Sequence, residues 1–426
     1  MRDRIRNMGR KVLGSLFLAS LLLLAGGCGG KEKERVQITL LHGWGTMEED
    51  HIRMQKIYED FEKAYPTIDL QLVSMTSPEE VVRKAGELMT IGRVPDLVFT
   101  SGHGKESIYR FMKEEGLAVD LLPFIQEDEA FAEDVAPEIL QIWAGDGHLY
   151  TVTDVLLPAG GYWYREDMFQ EAEIAELPSD WEEFLSVCQK LRDWAEREDK
   201  EMIPVQITRE NSVYFAGALM ADEVWRTGKE VGPEGLHPGD LEKEACCRVL
   251  HTMQEIYDCG RYRGGEFGYR DAVSAFNRGE AAMYVNGVWG GALIDPELPV
   301  RYAAFPSKYA GSQSCLSAGV GYLVGNTGDE ERIRASVTFL KYMLSDEVQE
   351  KLLIETGQIP SNPSIDMEAY QQQLPRLYQA VQAVREADRI LEVPANSWSN
   401  AQLEHFQAYI MDFLGGETEE IPLRKY

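Results

Sequence analysis

The stretch from Val36 to Phe99 reads VQITLLHGWGTMEEDHIRMQKIYEDFEKAYPTIDLQLVSMTSPEEVVRKAGELMTIGRVPDLVF, and it sets the fold class. Val36 to Leu41 is a short run of strand-forming residues. Met54, Ile57, Tyr58, Phe61 and Tyr65 then recur at helical spacing and share one face. Pro66 stops that helix, because proline pushes the preceding residue out of the α region. Ile68, Leu70 and Leu72 alternate with polar residues as a second strand. Val81 to Met89 supplies another helix, and Asp96-Leu97-Val98-Phe99 a short buried strand. Strand, helix, strand, helix, strand in this order predicts an α/β fold with a mainly parallel sheet covered by helices.

The same alternation continues toward the C-terminus. Ser179-Asp180-Trp181-Glu182 predicts a capping box opening a helix, with Trp181, Phe184, Leu185, Cys188 and Leu191 on one face. Asp271 to Arg278 reads as a short helix stopped by Gly279, and Ala281 to Val285 as a strand. Ile333, Val337, Leu340 and Leu344 line a further helix. The next carries Val348 and Leu352 and ends at Gly357, a residue suited to a left-handed cap. From Tyr370 onward the pattern is helical, interrupted near Val393-Pro394.

Toward the N-terminus the reading changes character. Arg2, Arg4, Arg6, Arg10 and Lys11 precede an apolar run from Val12 to Ala25, which has the layout of a secretory signal. The run is short for a membrane span. It ends in Leu24-Ala25-Gly26-Gly27-Cys28, which resembles the bacterial lipobox, in which the cysteine is lipidated. Ala25 stands where the lipobox leucine is usual, with Leu24 one position earlier. Gly29 to Glu34 follows as a flexible charged tether.

The chain has 426 residues, enough for two or three domains, and 44% hydrophobic residues, which fits a folded protein. Its net charge of -29 disfavours nucleic acid and anionic lipid headgroups as partners. Beyond Cys28 the cysteines are Cys188, Cys246, Cys247, Cys259 and Cys315, whose odd number cannot all pair within one chain. Their spacing lacks a zinc pattern, so no metal or cofactor is expected. They read mostly as small buried thiols, with a Cys246–Cys259 disulfide left open.

Several motifs follow one another in an order that resembles the family 1 extracellular solute-binding proteins, which include maltodextrin- and other oligosaccharide-binding proteins. They run from Ile38-Thr39-Leu40-Leu41-His42-Gly43-Trp44 through Phe61 to Pro66 and Pro95-Asp96-Leu97-Val98. Gly147 to Val152, Tyr162 to Asp167 and Trp181-Glu182-Glu183-Phe184 continue the series. Asn277 to Met283, Phe339 to Tyr342 and Thr356-Gly357-Gln358-Ile359-Pro360 complete it. The resemblance implies two α/β lobes around a hinge, with solute held in the cleft between them and delivered to an ABC permease. It places residues 1–27 in the signal peptide and 28–35 in the tether. One lobe takes 36–153 with 318–375, the other 154–317 with 376–426. A monomer anchored through lipid on the extracytoplasmic face is the expected form.

A sugar offers hydroxyl edges and weakly polar C–H faces, so its site needs aromatic plates with amides, hydroxyls and carboxylates around them. Trp289 matches the family position where an aromatic ring stacks on sugar, and Trp398 a second one in some members. Tyr214 lies in a stretch similar to another. Thr100, Ser101 and His103 occupy the loop that contacts solute in the family. Maltodextrin-binding relatives carry an aromatic and a charged pair there, which argues against maltodextrin. Trp44 follows the first strand, where α/β folds place ligands. Asp154, near the first crossing, suits either hydroxyl recognition or hinge support, and Asn286 either a ligand contact or a turn.

Three rival readings remain at this level. A secreted glycoside hydrolase would need paired carboxylates, whose spacing is spatial and invisible in sequence. No GxSxG, HExxH, Walker A or GxGxxG context supports an enzyme. The same fold binding a polyamine or a phosphorylated glycerol is the second reading, and a sensory receptor is the third.

Overall fold

The computed structural model describes residues 35–100, 108–144, 147–156, 158–231, 236–237, 239, 241–259, 268–316, 321–392 and 398–416. The signal-like segment, Cys28, Ser101, His103 and the Val393-Pro394 break lie outside them. The strands are β1 (Val36–His42), β2 (Ile68–Ser74), β3 (Leu97–Thr100), β4 (Thr151–Val152), β5 (Pro158–Arg165), β6 (Ile203–Gln206), β7 (Ala281–Val285), β8 (Val300–Ser307), β9 (Gly311–Leu316), β10 (Gly321–Val324) and β11 (Arg389–Glu392).

Two sheets result. The first has the order β2-β1-β3-β10-β4 and the second β11-β9-β8-β5-β7-β6. β1 lies parallel to both β2 and β3, as the opening stretch predicts. The expectation of a mainly parallel sheet holds only for this part. β10 runs antiparallel to β3 and β4. In the second sheet β5 pairs antiparallel with β7, β8 and β9. None of these antiparallel partners is joined directly: more than 100 residues separate each pair, so their direction follows from how the chain re-enters each sheet, while β1, β2 and β3 are linked by the crossover helices that parallel pairs need.

The first sheet takes all its strands from residues 36–152 and 321–324, the second from 158–316 and 389–392. Helix Glu49–Ala64 buries Met54, Ile57, Tyr58 and Phe61 against the first sheet, so the apolar face read from spacing is the one that packs. Asp96 explains part of the Pro-Asp-Leu signature. Its carboxylate accepts the Thr39 N–H at 2.9 Å and an Arg332 N–H at 2.6 Å, tying β1 and β3 to helix Glu330–Leu344. The second core gathers Trp181, Phe184, Phe215 and Phe305. Cys188 and Cys259 are buried free thiols, so Cys259 takes no part in a Cys246–Cys259 disulfide.

The cap of helix Trp181–Arg197 is one residue later than predicted. Asp180, not Ser179, accepts the Glu183 N–H at 2.8 Å, and the Glu183 carboxylate reaches back to the Ser179 N–H at 2.9 Å. Replacing Asp180 by alanine should cost about 1 kcal/mol of unfolding free energy in urea titration. An unchanged midpoint would show that the Glu183–Ser179 bonds hold this helix start unaided.

Candidate functional site

A cavity of about 670 Å³ is lined by residues that follow strands of both sheets. Trp44 enters it from the loop after β1, and Trp289 from the turn after β7. Trp163 on β5 and Val155 between β4 and β5 form part of the wall. Thr356, Gly357, Gln358 and Ile359 approach from one side, Gln373 and Arg376 from another.

Each tryptophan is held by local design. The Trp44 N–H donates to His42 Nδ1 at 3.2 Å, and Gln55 donates to the Trp44 carbonyl at 2.5 Å. Its ring meets His51 edge-on at 5.0 Å and Phe99 at 5.6 Å between centroids. A Cβ on Gly45 would fall 2.4 Å from the Met75 carbonyl oxygen, so this loop requires glycine to pass so close to its neighbour. Trp289 sits on a 3₁₀ turn, Val288–Leu293, with its ring over Gly287, where a Cβ would lie 2.2 Å from Cζ3. Tyr214 meets it edge-on at 6.3 Å. Beneath the turn, Trp163 Nε1 donates to the Gly287 carbonyl at 3.1 Å, and Gly291 leaves room for the Trp163 ring. The glycine-rich run therefore leaves room for both indoles, Gly287 for Trp289 and Gly291 for Trp163.

The opposite wall is made by an irregular helix end. Helix Asp346–Lys351 widens into a π turn at Leu352–Thr356, and Gly357 closes it in the left-handed conformation with φ 69°. Arg53 donates to the Glu355 carbonyl and fixes the turn to helix Glu49–Ala64. Such π turns re-aim the residues that follow them. Here they present Thr356 and Gln358 to the cavity.

Among the described residues Arg376 is the only charged group lining the cavity. The lining is otherwise aromatic and aliphatic, with amides from Gln358 and Gln373 and one hydroxyl from Thr356. This arrangement suits a neutral molecule with apolar faces and hydroxyl edges. No pair of carboxylates faces the cavity among the described residues.

The other predicted residues fall elsewhere. Asp154 is buried beside the cavity, not in its lining. Its carboxylate accepts the Tyr322 hydroxyl proton at 2.7 Å, and Tyr322 in turn pairs with the Tyr58 hydroxyl at 2.9 Å. Among the described residues its second oxygen has no partner, and burial pushes the carboxyl up to about 6. Its backbone carbonyl takes Gln349 at 2.8 Å, while Ser361 donates to the neighbouring Thr153 carbonyl at 2.7 Å. These bonds tie the segment between β4 and β5 to helix Asp346–Lys351 and to Ser361.

Trp398 is 2% exposed, donates Nε1 to the Leu236 carbonyl at 2.8 Å and packs edge-on against Phe406. It belongs to the second core and is not brought to the cavity. Asn286 is fully buried and its side-chain oxygen accepts the Gly287 N–H at 2.9 Å, so it shapes the turn under Trp289. Of Thr100, only the backbone is described, pairing with Gly321 in the sheet. Gln358, Gln373, Arg376 and Trp163 were not singled out from sequence as cavity residues.

A family model described as bacterial extracellular solute-binding protein matches residues 56–376. A multiple sugar-binding protein from Streptococcus mutans is 20% identical over 353 residues, covering 80% of this chain and 79% of its own. Among solved structures, a Streptococcus pneumoniae solute-binding protein in complex with the blood group A-trisaccharide aligns with a TM-score of 0.67 and 19% identity. That alignment covers 91% of this chain and 97% of the other. The GacH receptor of Streptomyces glaucescens, solved unliganded and with acarbose, aligns with a TM-score of 0.67 and 20% identity over 92% of this chain and 96% of its own.

Proposed function

The chain belongs to the bacterial extracellular solute-binding proteins, and from that premise we propose that it captures a sugar or short oligosaccharide for an ABC importer. The carrying observation is that Trp44 and Trp289 reach one cavity from opposite sheets. A pyranose ring between such plates buries its C–H faces, while Gln358, Gln373 and Thr356 meet its hydroxyls. The curated relative and both solved structures described above carry names or ligands of this class, which supports the reading.

In this proposal the two sheets are the cores of two lobes. The lobes divide near Thr153, near Ala318 and near residue 375. Solute bridging the cavity shifts the population toward a closed form that the permease recognises. The protein acts as a monomer and binds without transforming its ligand. Cys28 carries the lipid that holds the protein to the extracytoplasmic face of the membrane. Replacing Cys28 by alanine should release the protein from the membrane fraction into the medium.

Calorimetry across neutral mono- and oligosaccharides is the direct test, and at least one should bind with Kd near or below micromolar, about -8 kcal/mol. Tight binding of a polyamine or a phosphorylated glycerol, with no sugar bound, would overturn the sugar assignment and leave the fold untouched. Turnover of a bound glycoside, lost on changing one carboxylate, would overturn the binding role itself.

A further inference from the structure

We propose that Arg376 is a positioning residue for solute capture: it braces, from within the cavity wall, the loop that carries Trp289. The inference rests on the proposed solute site. Trp289 stands on the 3₁₀ turn Val288–Leu293, and the carbonyls that follow such a turn have no helical partner. Arg376 meets three carbonyls beyond that turn. Its Nη1 donates to the Ile294 oxygen at 3.0 Å, and its Nη2 to the Asp295 and Leu298 oxygens at 2.6 and 2.7 Å. One planar guanidinium thus gathers three carbonyls of this loop at one point, two of which, on Asp295 and Leu298, also accept the Leu298 and Val300 N–H groups.

The geometry ties two distant parts of the chain. Arg376 lies in the first turn of helix Pro375–Arg385, which packs on β8 and on the Trp289 turn. Leu374 and Gln373, immediately before it, line the cavity as well. On the far side of the same loop Asn277 completes the brace. It donates to the Leu293 carbonyl at 3.1 Å and accepts the Asp295 N–H at 3.1 Å. The loop is therefore held between Asn277 and Arg376. Burial of the guanidinium disfavours its charge, and the nearby Asp295 carboxylate only partly offsets this. A charge kept at such a place is explained by the fork of donors that lysine lacks.

The test compares Arg376→Lys, Arg376→Met, Trp289→Ala and the Arg376→Lys/Trp289→Ala double variant, using a neutral oligosaccharide that the unaltered protein is first shown to bind. Failure to find such a sugar is failure of the proposed function, not of the brace. Both Arg376 variants should lose roughly tenfold in affinity to similar extents, because charge alone does not restore the fork. In the Trp289→Ala background, Arg376→Lys should add little, since both act through one plate. With 5-fluorotryptophan incorporated, the Trp289 resonance should move in Arg376→Lys before any sugar is added. Asn277→Ala, outside the cavity, should reproduce the affinity loss and keeps the test available should the Arg376 variants fold poorly. Three results would overturn the proposal: affinity unchanged in both Arg376 variants, losses that add to that of Trp289→Ala, or a loss confined to anionic saccharides. The last would make Arg376 a direct ligand group.

Discussion

Trp289→Ala should weaken sugar binding by roughly 10- to 100-fold, about 1–3 kcal/mol, with the unfolding midpoint nearly unchanged. The ring is partly exposed to the cavity and lies on a glycine, so its removal deletes a plate without opening the core beneath. Trp163 under the turn keeps its hydrogen bond to the Gly287 carbonyl, which does not depend on the Trp289 side chain. Titration of the variant by calorimetry, beside urea unfolding, separates the two effects. Equal affinities in variant and parent would remove Trp289 from the site. A matching loss of stability would show that the ring is part of the core.

Asp154→Asn should make the protein sensitive to acid relative to its parent. Two buried groups near the cavity titrate in opposite senses. Asp154 faces Tyr322, with Tyr58 behind it, and burial holds its carboxyl at about 6. A carboxyl raised in the folded state adds stability that is fully present below its unfolded value of 3.8 and lost as pH rises through 6. His42 behaves in the reverse way. Burial first, then the neighbouring His51, lower it to about 4.

Its Nδ1 accepts the Trp44 N–H, so the ring proton sits on Nε2 and faces Ser74. A histidine lowered from 6.5 contributes stability present above that value and lost as pH falls toward 4. Between pH 4 and 6 the two contributions oppose each other at about 1.4 kcal/mol per pH unit each. Removing the carboxyl leaves the histidine unopposed, so the stability of the variant relative to the parent should fall by about 2 kcal/mol from pH 7 to pH 4.5. Urea midpoints at several pH values measure this. A stability difference that does not change with pH would mean that Asp154 is ionised in the fold throughout that range.

How far the sequence discloses the molecule varies by element. β1, β2 and β3 are legible because each carries apolar residues in a recognisable run between clear helices. β5, β8 and β9 are not, since aromatic and small residues follow one another without alternation. β11 lies within a tail whose pattern reads as helix, and only its parallel pairing with β9 gives it strand form.

The site shows the same division. Trp44 and Trp289 follow strands, the place where α/β folds gather ligands, and the structure brings both to one cavity. Trp398 looks equivalent on paper, yet a carbonyl 162 residues away, on Leu236, takes its N–H and the core takes its ring. Arg376 carries no local signal at all, because its partners are 78 to 82 residues upstream. Local pattern discloses which residues can act. Long-range pairing decides which of them face the cavity.

The late arrival of β10 has a consequence for how the protein is made. Leu97 pairs with Val324 and Val152 with Tyr322, so the middle of the first sheet stays open until residues near 324 have been synthesised. Phe339, packed against Tyr58 and Phe61, arrives later still. A nascent chain emerging from the ribosome therefore cannot finish its N-terminal half early, and non-local closure of this kind is slow. That delay keeps the N-terminal half of the polypeptide open for longer before it sets.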